Sequence, residues 1–173
     1  MTNENADSGR CLSVCALLLL SWGAAVVPLQ AMAGSSTATL GVSFTINAAC
    51  TVSAAPVAFP AQSVLSAPVS QTGSVVVTCS NTSPYNVQLD QGAGASATVA
   101  NRLMTGPASG TVAYGLYQDA ARTVNWGKTN GADTVAGTGA GSAQTLTVYG
   151  RISAQTTPAP GAYADTVNVT VSY

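Results

Sequence analysis

Apolar and polar side chains alternate along much of this chain with the two-residue period of a β-strand that buries one face. Leu40, Val42, Phe44 and Ile46 are separated by Gly41, Ser43 and Thr45. Tyr85, Val87 and Leu89 alternate with Asn86, Gln88 and Asp90; Val112, Tyr114 and Leu116 share one side of the next run. Leu146, Val148 and Ile152 do the same between residues 144 and 153, where Gly150 reads as a bulge or kink. The run Val75-Val76-Val77 before Cys79 is β-branched and reads as a core strand buried on both faces. The closing stretch, with Tyr163, Asp165, Val167, Val169, Val171 and Tyr173 at every second position, is the most regular of all. A strand of this kind is expected in a sheet interior, with a neighbour on each side.

Turn signals join these strands. Asn81-Thr-Ser-Pro84 reads as the turn of a hairpin between the strand ending at Cys79 and the strand beginning near Tyr85. Val57 and Phe59, just before Pro60, read as an edge segment, because proline cannot donate to a central ladder. Arg102-Leu103-Met104 is a short strand candidate, and Asp119-Ala-Ala-Arg122 a turn closed by a weak surface ion pair, followed by a shorter run at Val124 and Trp126. The Gly, Ala, Ser and Thr stretches 91–100 and 131–141 read as loops. With no long amphipathic helix, the fold class expected is all-β, a sandwich of short strands.

Residues 1–33 have the layout of a secretory signal: an apolar run from Cys11 to Leu29 and a small-residue site Ala31-Met32-Ala33, with cleavage expected before Gly34. Beyond that point Asp90, Asp119, Asp133 and Asp165 balance Arg102, Arg122, Lys128 and Arg151, so the formal charge is zero. Such a surface offers no electrostatic grip on nucleic acid or an acidic membrane, and little repulsion against self-association. Cys50 and Cys79 are the cysteines left after cleavage. In an exported chain they are expected as a disulfide, whereas in the cytosol the same pair would be thiols.

Candidate chemistry is sparse. The sequence has no His, and its single Glu lies in the leader, so metal, paired-carboxylate and triad chemistry would rest on the aspartates and Lys128. No cofactor, metal or catalytic residue is expected. The glycine clusters Gly92-Ala-Gly94 and Gly137-Thr-Gly139-Ala-Gly141 lack the helix a phosphate-binding loop requires. Tyr85, Tyr114, Tyr117, Trp126 and Tyr149 are candidates for a carbohydrate platform, with core or cross-strand packing the alternative.

Several stretches carry a family likeness: Asn47-Ala-Ala-Cys50-Thr-Val52, Val75-Val-Val-Thr-Cys79, Val112-Ala-Tyr-Gly-Leu-Tyr-Gln-Asp-Ala-Ala-Arg122, Val148-Tyr-Gly150 and Gly161-Ala-Tyr-Ala-Asp-Thr-Val-Asn-Val-Thr-Val-Ser-Tyr173. From about Leu40 to Tyr173 the chain resembles the spore coat protein U domain, the subunit domain of archaic, Csu-type chaperone–usher pili. The resemblance implies an incomplete immunoglobulin-like β-sandwich (residues 49–173) completed by donor-strand exchange, with residues 34–48 as the donor segment. Leu40, Val42, Phe44 and Ile46 are then the donor side chains, and Val167, Val169, Val171 and Tyr173 flank the acceptor groove. It further implies a periplasmic chaperone, an outer-membrane usher and other pilus subunits as partners, and export through the periplasm to a cell-surface fibre serving attachment and biofilm formation. A spore-coat or cell-surface carbohydrate-binding module is the alternative reading.

Overall fold

The computed structural model describes residues 33–173, so the leader expected over 1–33 lies outside the described residues save for Ala33. Two units are distinguished, Met1–Ser43 and Phe44–Tyr173. In the described part of the first there is no helix or strand, and Leu40 and Val42 are each 88% exposed.

The second unit carries the strands β1 (Cys50–Ala55), β2 (Val69–Cys79), β3 (Pro84–Leu89), β4 (Arg102–Thr105), β5 (Thr111–Tyr117), β6 (Val135–Thr138), β7 (Ala143–Ile152) and β8 (Val169–Ser172). They form a five-stranded sheet in the order β1-β2-β7-β5-β4 and a three-stranded sheet in the order β6-β3-β8. All named pairings are antiparallel. The architecture is an all-β sandwich of the immunoglobulin-like kind. Its core holds Val75, Val77, Val87, Leu89, Val112, Leu116, Val148 and Ile152, contributed alternately by the inner faces of both sheets, as period-two patterning requires.

Several expectations are corrected. The strands ending at Cys79 and beginning at Pro84 do not pair as a hairpin; β2 and β3 belong to different sheets. The Ser80–Ser83 turn instead carries the chain across the sandwich, with Thr82 N–H donating to Gly139 O (2.8 Å) and Gly139 N–H to Ser83 O (2.7 Å). Both arrangements bury one face of each strand, so alternation could not tell them apart. Val76 is half-buried while Val75 and Val77 are fully buried, so β2 is covered on one face only. The glycine-rich stretch near residue 137 contains β6, which pairs with β3. Residues 56–68 form no strand with neighbours until β2 begins at Val69, although Val57 and Phe59 pack on the core. Gly150 is no bulge: it keeps register with Gln71 and Leu116, and a Cβ there would stand 2.5 Å from Val57 Cγ1 and 2.9 Å from Phe59 Cζ. Glycine at this position is a matter of close approach.

Cys50 and Cys79 face each other across β1 and β2 and are disulfide-bonded. Their separation of 29 positions gives a chain-entropy contribution of about 3.5 kcal/mol, which fastens the edge strand β1 to its sheet. Asp119 also departs from expectation. Its carboxylate accepts hydrogen bonds from the N–H groups of Thr123 and Val124 and from the Thr123 hydroxyl, while Arg122 donates to Gly150 O and Ala120 O. The turn is therefore closed by carboxylate-to-backbone bonds, which satisfy more donors than one ion pair would.

Candidate acceptor groove

The edge strands β1 and β8 approach each other on one side of the sandwich. Each is paired on a single side: β1 with β2, β8 with β3. Near this opening lies a cleft of about 500 Å³. One wall is the stretch 54–59 with Val57 and Phe59; the other is the segment leading into β8, with Tyr163, Val167 and Val169. Its floor is the core itself, Val75, Leu89, Leu116 and Val148. A second cleft of about 600 Å³ shares Phe59, Met104 and Tyr163 with the first and is walled by Pro60, Pro158 and Pro160. An apolar slot bordered by unpaired strand edges offers both side-chain pockets and main-chain hydrogen bonds to an added strand.

Of the residues expected to flank the groove, Val167 and Val169 line it. Val171 is half-buried opposite Val87, and Tyr173 is 60% exposed and does not line it. The terminal strand is shorter than its alternation suggests and lies at a sheet edge, not in the interior. Ala164 bonds to Thr105 at the end of β4 through both N–H and O, at 3.1 and 2.9 Å, so the chain passes from the edge of one sheet to the other before β8 starts. The expected donor side chains Leu40, Val42, Phe44 and Ile46 lie in no strand and are 79–88% exposed.

The groove's far wall is held by a polar lattice. Asp165 accepts from Tyr114 Oη–H (2.6 Å), Ala93 N–H (2.8 Å) and Thr166 N–H (2.8 Å). Burial, then the bond to the Asp165 carboxylate, pushes the Tyr114 phenol far above its ordinary value, so it remains a donor. Asp90 accepts from Gly92 N–H and from both the backbone N–H and the side-chain amide of Asn168. Partial burial works against its ionisation, but the Asn168 side chain, the two backbone donors and the Arg102 charge outweigh it and hold Asp90 below its ordinary value of 3.8. A depressed folded value contributes stability that is present above the unfolded value and lost as pH falls through the folded one. Asp90→Asn is thus expected to lower the urea midpoint at pH 7 and to flatten its fall below about pH 4, checked by urea unfolding at pH 7 and pH 2.5.

Behind this wall stands Arg102, whose role no sequence pattern announces. It is fully buried. Its Nε donates to Asp90 O (2.8 Å), Nη1 to Val99 O (2.9 Å), and Nη2 to Leu89 O (3.2 Å) and Trp126 O (2.7 Å). Trp126 Nε1–H in turn donates to Val87 O (2.9 Å). The only sequence signal was the scarcity of cations. Of the aromatic residues considered for a carbohydrate platform, Tyr85, Tyr114 and Trp126 are buried in the core and unavailable; Tyr117 and Tyr149 are half-buried. Lys128 Nζ donates to Gln91 Oε1 (2.9 Å) at the surface.

A family model, the Spore Coat Protein U domain, matches residues 36–170. None of the curated proteins matches in sequence. In structure the chain is similar to a chain in the crystal structure of the CsuC–CsuE chaperone–tip adhesion subunit pre-assembly complex from the archaic chaperone–usher Csu pili of Acinetobacter baumannii, with TM-score 0.57 and 21% identity. The match covers 75% of this chain and 41% of that one, so this chain spans less than half of its structural relative. The alignment at that identity speaks for the fold, and the family model for the lineage. With a domain model matched over most of its length, this chain belongs to the spore coat protein U domain family.

Proposed function

We propose that the chain is a structural subunit of a chaperone–usher pilus that polymerises by donor-strand complementation. The observation carrying this reading is the coexistence of an apolar cleft at unpaired sheet edges with four alternating, exposed apolar side chains ahead of β1. Leu40, Val42, Phe44 and Ile46 of one copy fill the cleft of another, while Gly41, Ser43 and Thr45 face away. Burying four such groups is worth on the order of 6–12 kcal/mol gross, beside the ladder hydrogen bonds. Until then the slot is an aggregation hazard, which fits a periplasmic chaperone as the temporary occupant and an usher as the site of exchange. The structural likeness to a chain of a chaperone–subunit complex supports the same partners. Residues 1–33 then serve as the export signal, and the fibre is displayed at the cell surface for attachment and biofilm formation.

The test joins deletion with transplantation. Removing residues 34–47 is expected to leave a subunit that still binds its chaperone but forms no polymer. Appending a second copy of residues 37–47 after Tyr173 is expected to restore a soluble, chaperone-independent monomer. A deletion variant that polymerises as before, or an appended copy that leaves the subunit aggregating, would overturn the reading.

A further inference from the structure

The face of the five-stranded sheet turned away from the groove carries a separate feature. On β7, Val148, Gly150 and Ile152 are buried, so Tyr149 and Arg151 point outward; on β5, with Val112, Tyr114 and Leu116 inward, Gly115 and Tyr117 face out. The register sets Tyr117 beside Tyr149 and Gly115 beside Arg151. Tyr117 leans back over Gly115, where a Cβ would stand 2.7 Å from ring carbons, on the strand position that pairs with Arg151. At the other end Arg122 lies with its guanidinium carbon 5.8 Å from the Tyr149 ring centroid. It is fixed there by bonds to Gly150 O (3.2 Å) and Ala120 O (2.9 Å), on a backbone with φ 58°. Two arginines thus share this face with two phenol rings.

Arg102, Arg122 and Lys128 are engaged by protein acceptors, whereas Arg151 makes no side-chain hydrogen bond among the described residues. The nearest carboxylate in sequence to Arg122, that of Asp119, is committed to Thr123 and Val124. We infer that this face binds a polysaccharide bearing uronic-acid carboxylates. Arg151 and the remaining Arg122 donors pair with carboxylate oxygens, and the phenol rings pack on the apolar faces of pyranose units. Charge complementarity selects this occupant over others. Among the described residues a second copy of the chain brings no uncommitted side-chain carboxylate, since Asp90, Asp119, Asp133 and Asp165 each already accept hydrogen bonds from their own chain. Two cations on a domain of zero formal charge are too few for the dense phosphates of nucleic acid.

The test uses the chaperone-bound full chain and immobilised polygalacturonate, with dextran as the neutral comparison and anionic phospholipid vesicles as a third surface. Wild type is expected to bind polygalacturonate at low salt, to be released as salt approaches about 0.5 M, and to ignore dextran and vesicles. Arg151→Gln should weaken binding about tenfold or more with an unchanged circular dichroism spectrum and melting temperature, and Arg151→Lys should recover only part of it, because an ammonium cannot form the bidentate pair. Absence of binding to polygalacturonate, equal binding by Arg151→Gln, equal retention on dextran, or vesicle binding with the same Arg151 dependence would each overturn the proposal. Pilus assembly does not enter the readout, so its failure would be seen separately.

Discussion

Replacing Arg102 by methionine is expected to lower the stability of the folded subunit by about 3–5 kcal/mol, one of the largest single-residue losses available in this chain. The guanidinium is fully buried and ties together carbonyls from the end of β3, the following loop and the Trp126 segment. Methionine matches much of the volume but donates nothing, so Leu89 O, Asp90 O, Val99 O and Trp126 O lose their shared donor at once. Each unsatisfied buried acceptor costs about 1–3 kcal/mol, and partial relaxation keeps the total below the simple sum. Arg102→Lys should cost less, because an ammonium keeps three donors but cannot hold the planar fork. Urea unfolding of the two variants beside wild type measures this. A loss under about 1 kcal/mol for methionine would mean that water replaces the guanidinium at these carbonyls.

The consequence reaches the groove. Asp90, whose carbonyl Arg102 holds, uses its carboxylate to grip Asn168 immediately before β8. Leu89 is part of the groove floor. Arg102 therefore fixes the wall and the floor from behind, so its loss should loosen the cleft as well as the fold.

The legible part of the structure was the part governed by period-two burial. β3, β5 and β7 were readable because Val87, Leu116 and Val148 sit on one face, with small, polar or tyrosine neighbours on the other, and the pattern needs no knowledge of the partner strand. Which strand pairs with which was not readable. Cys79 and Tyr85 bury equally well in a hairpin or on opposite sheets, and the ladders of β2 with β7 and of β3 with β6 and β8 decide the matter. β6 hid because Val135-Ala-Gly-Thr138 shares its composition with loops; it is a strand by virtue of the neighbour it pairs with. Arg102 was hidden by its charge, which ordinarily marks a surface. Of the closing residues singled out from the sequence, Val167 and Val169 line the cleft while Val171 and Tyr173 do not, and the wall built by Val57 and Phe59 over Gly73 and Gly150 could be seen only once the fold was known.

Phe44→Asp is expected to abolish polymer while leaving the subunit folded. Under the donor-strand reading, the substitution removes about 1.5–3 kcal/mol of aromatic burial and adds the cost of an unpaired carboxylate in an apolar slot, several kcal/mol more. A combined loss of roughly 5 kcal/mol at each junction shifts its equilibrium by more than a thousandfold. Phe44 is 88% exposed in the single chain, so the same change should leave the stability of the isolated subunit within about 0.5 kcal/mol of wild type. Ser43→Asp is the matched control, because one step along a strand reverses the face and places the carboxylate outside the slot. Assembled wild type and Ser43→Asp should run as a ladder of multimers in cold detergent and fall to monomer on heating; Phe44→Asp should run as monomer throughout. If Ser43→Asp breaks the ladder and Phe44→Asp does not, the inserted strand is shifted by one residue, since a single-residue slip turns every side chain to the other face. If Phe44→Asp instead destabilises the isolated subunit, the segment belongs to its own sandwich and the donor-strand reading fails.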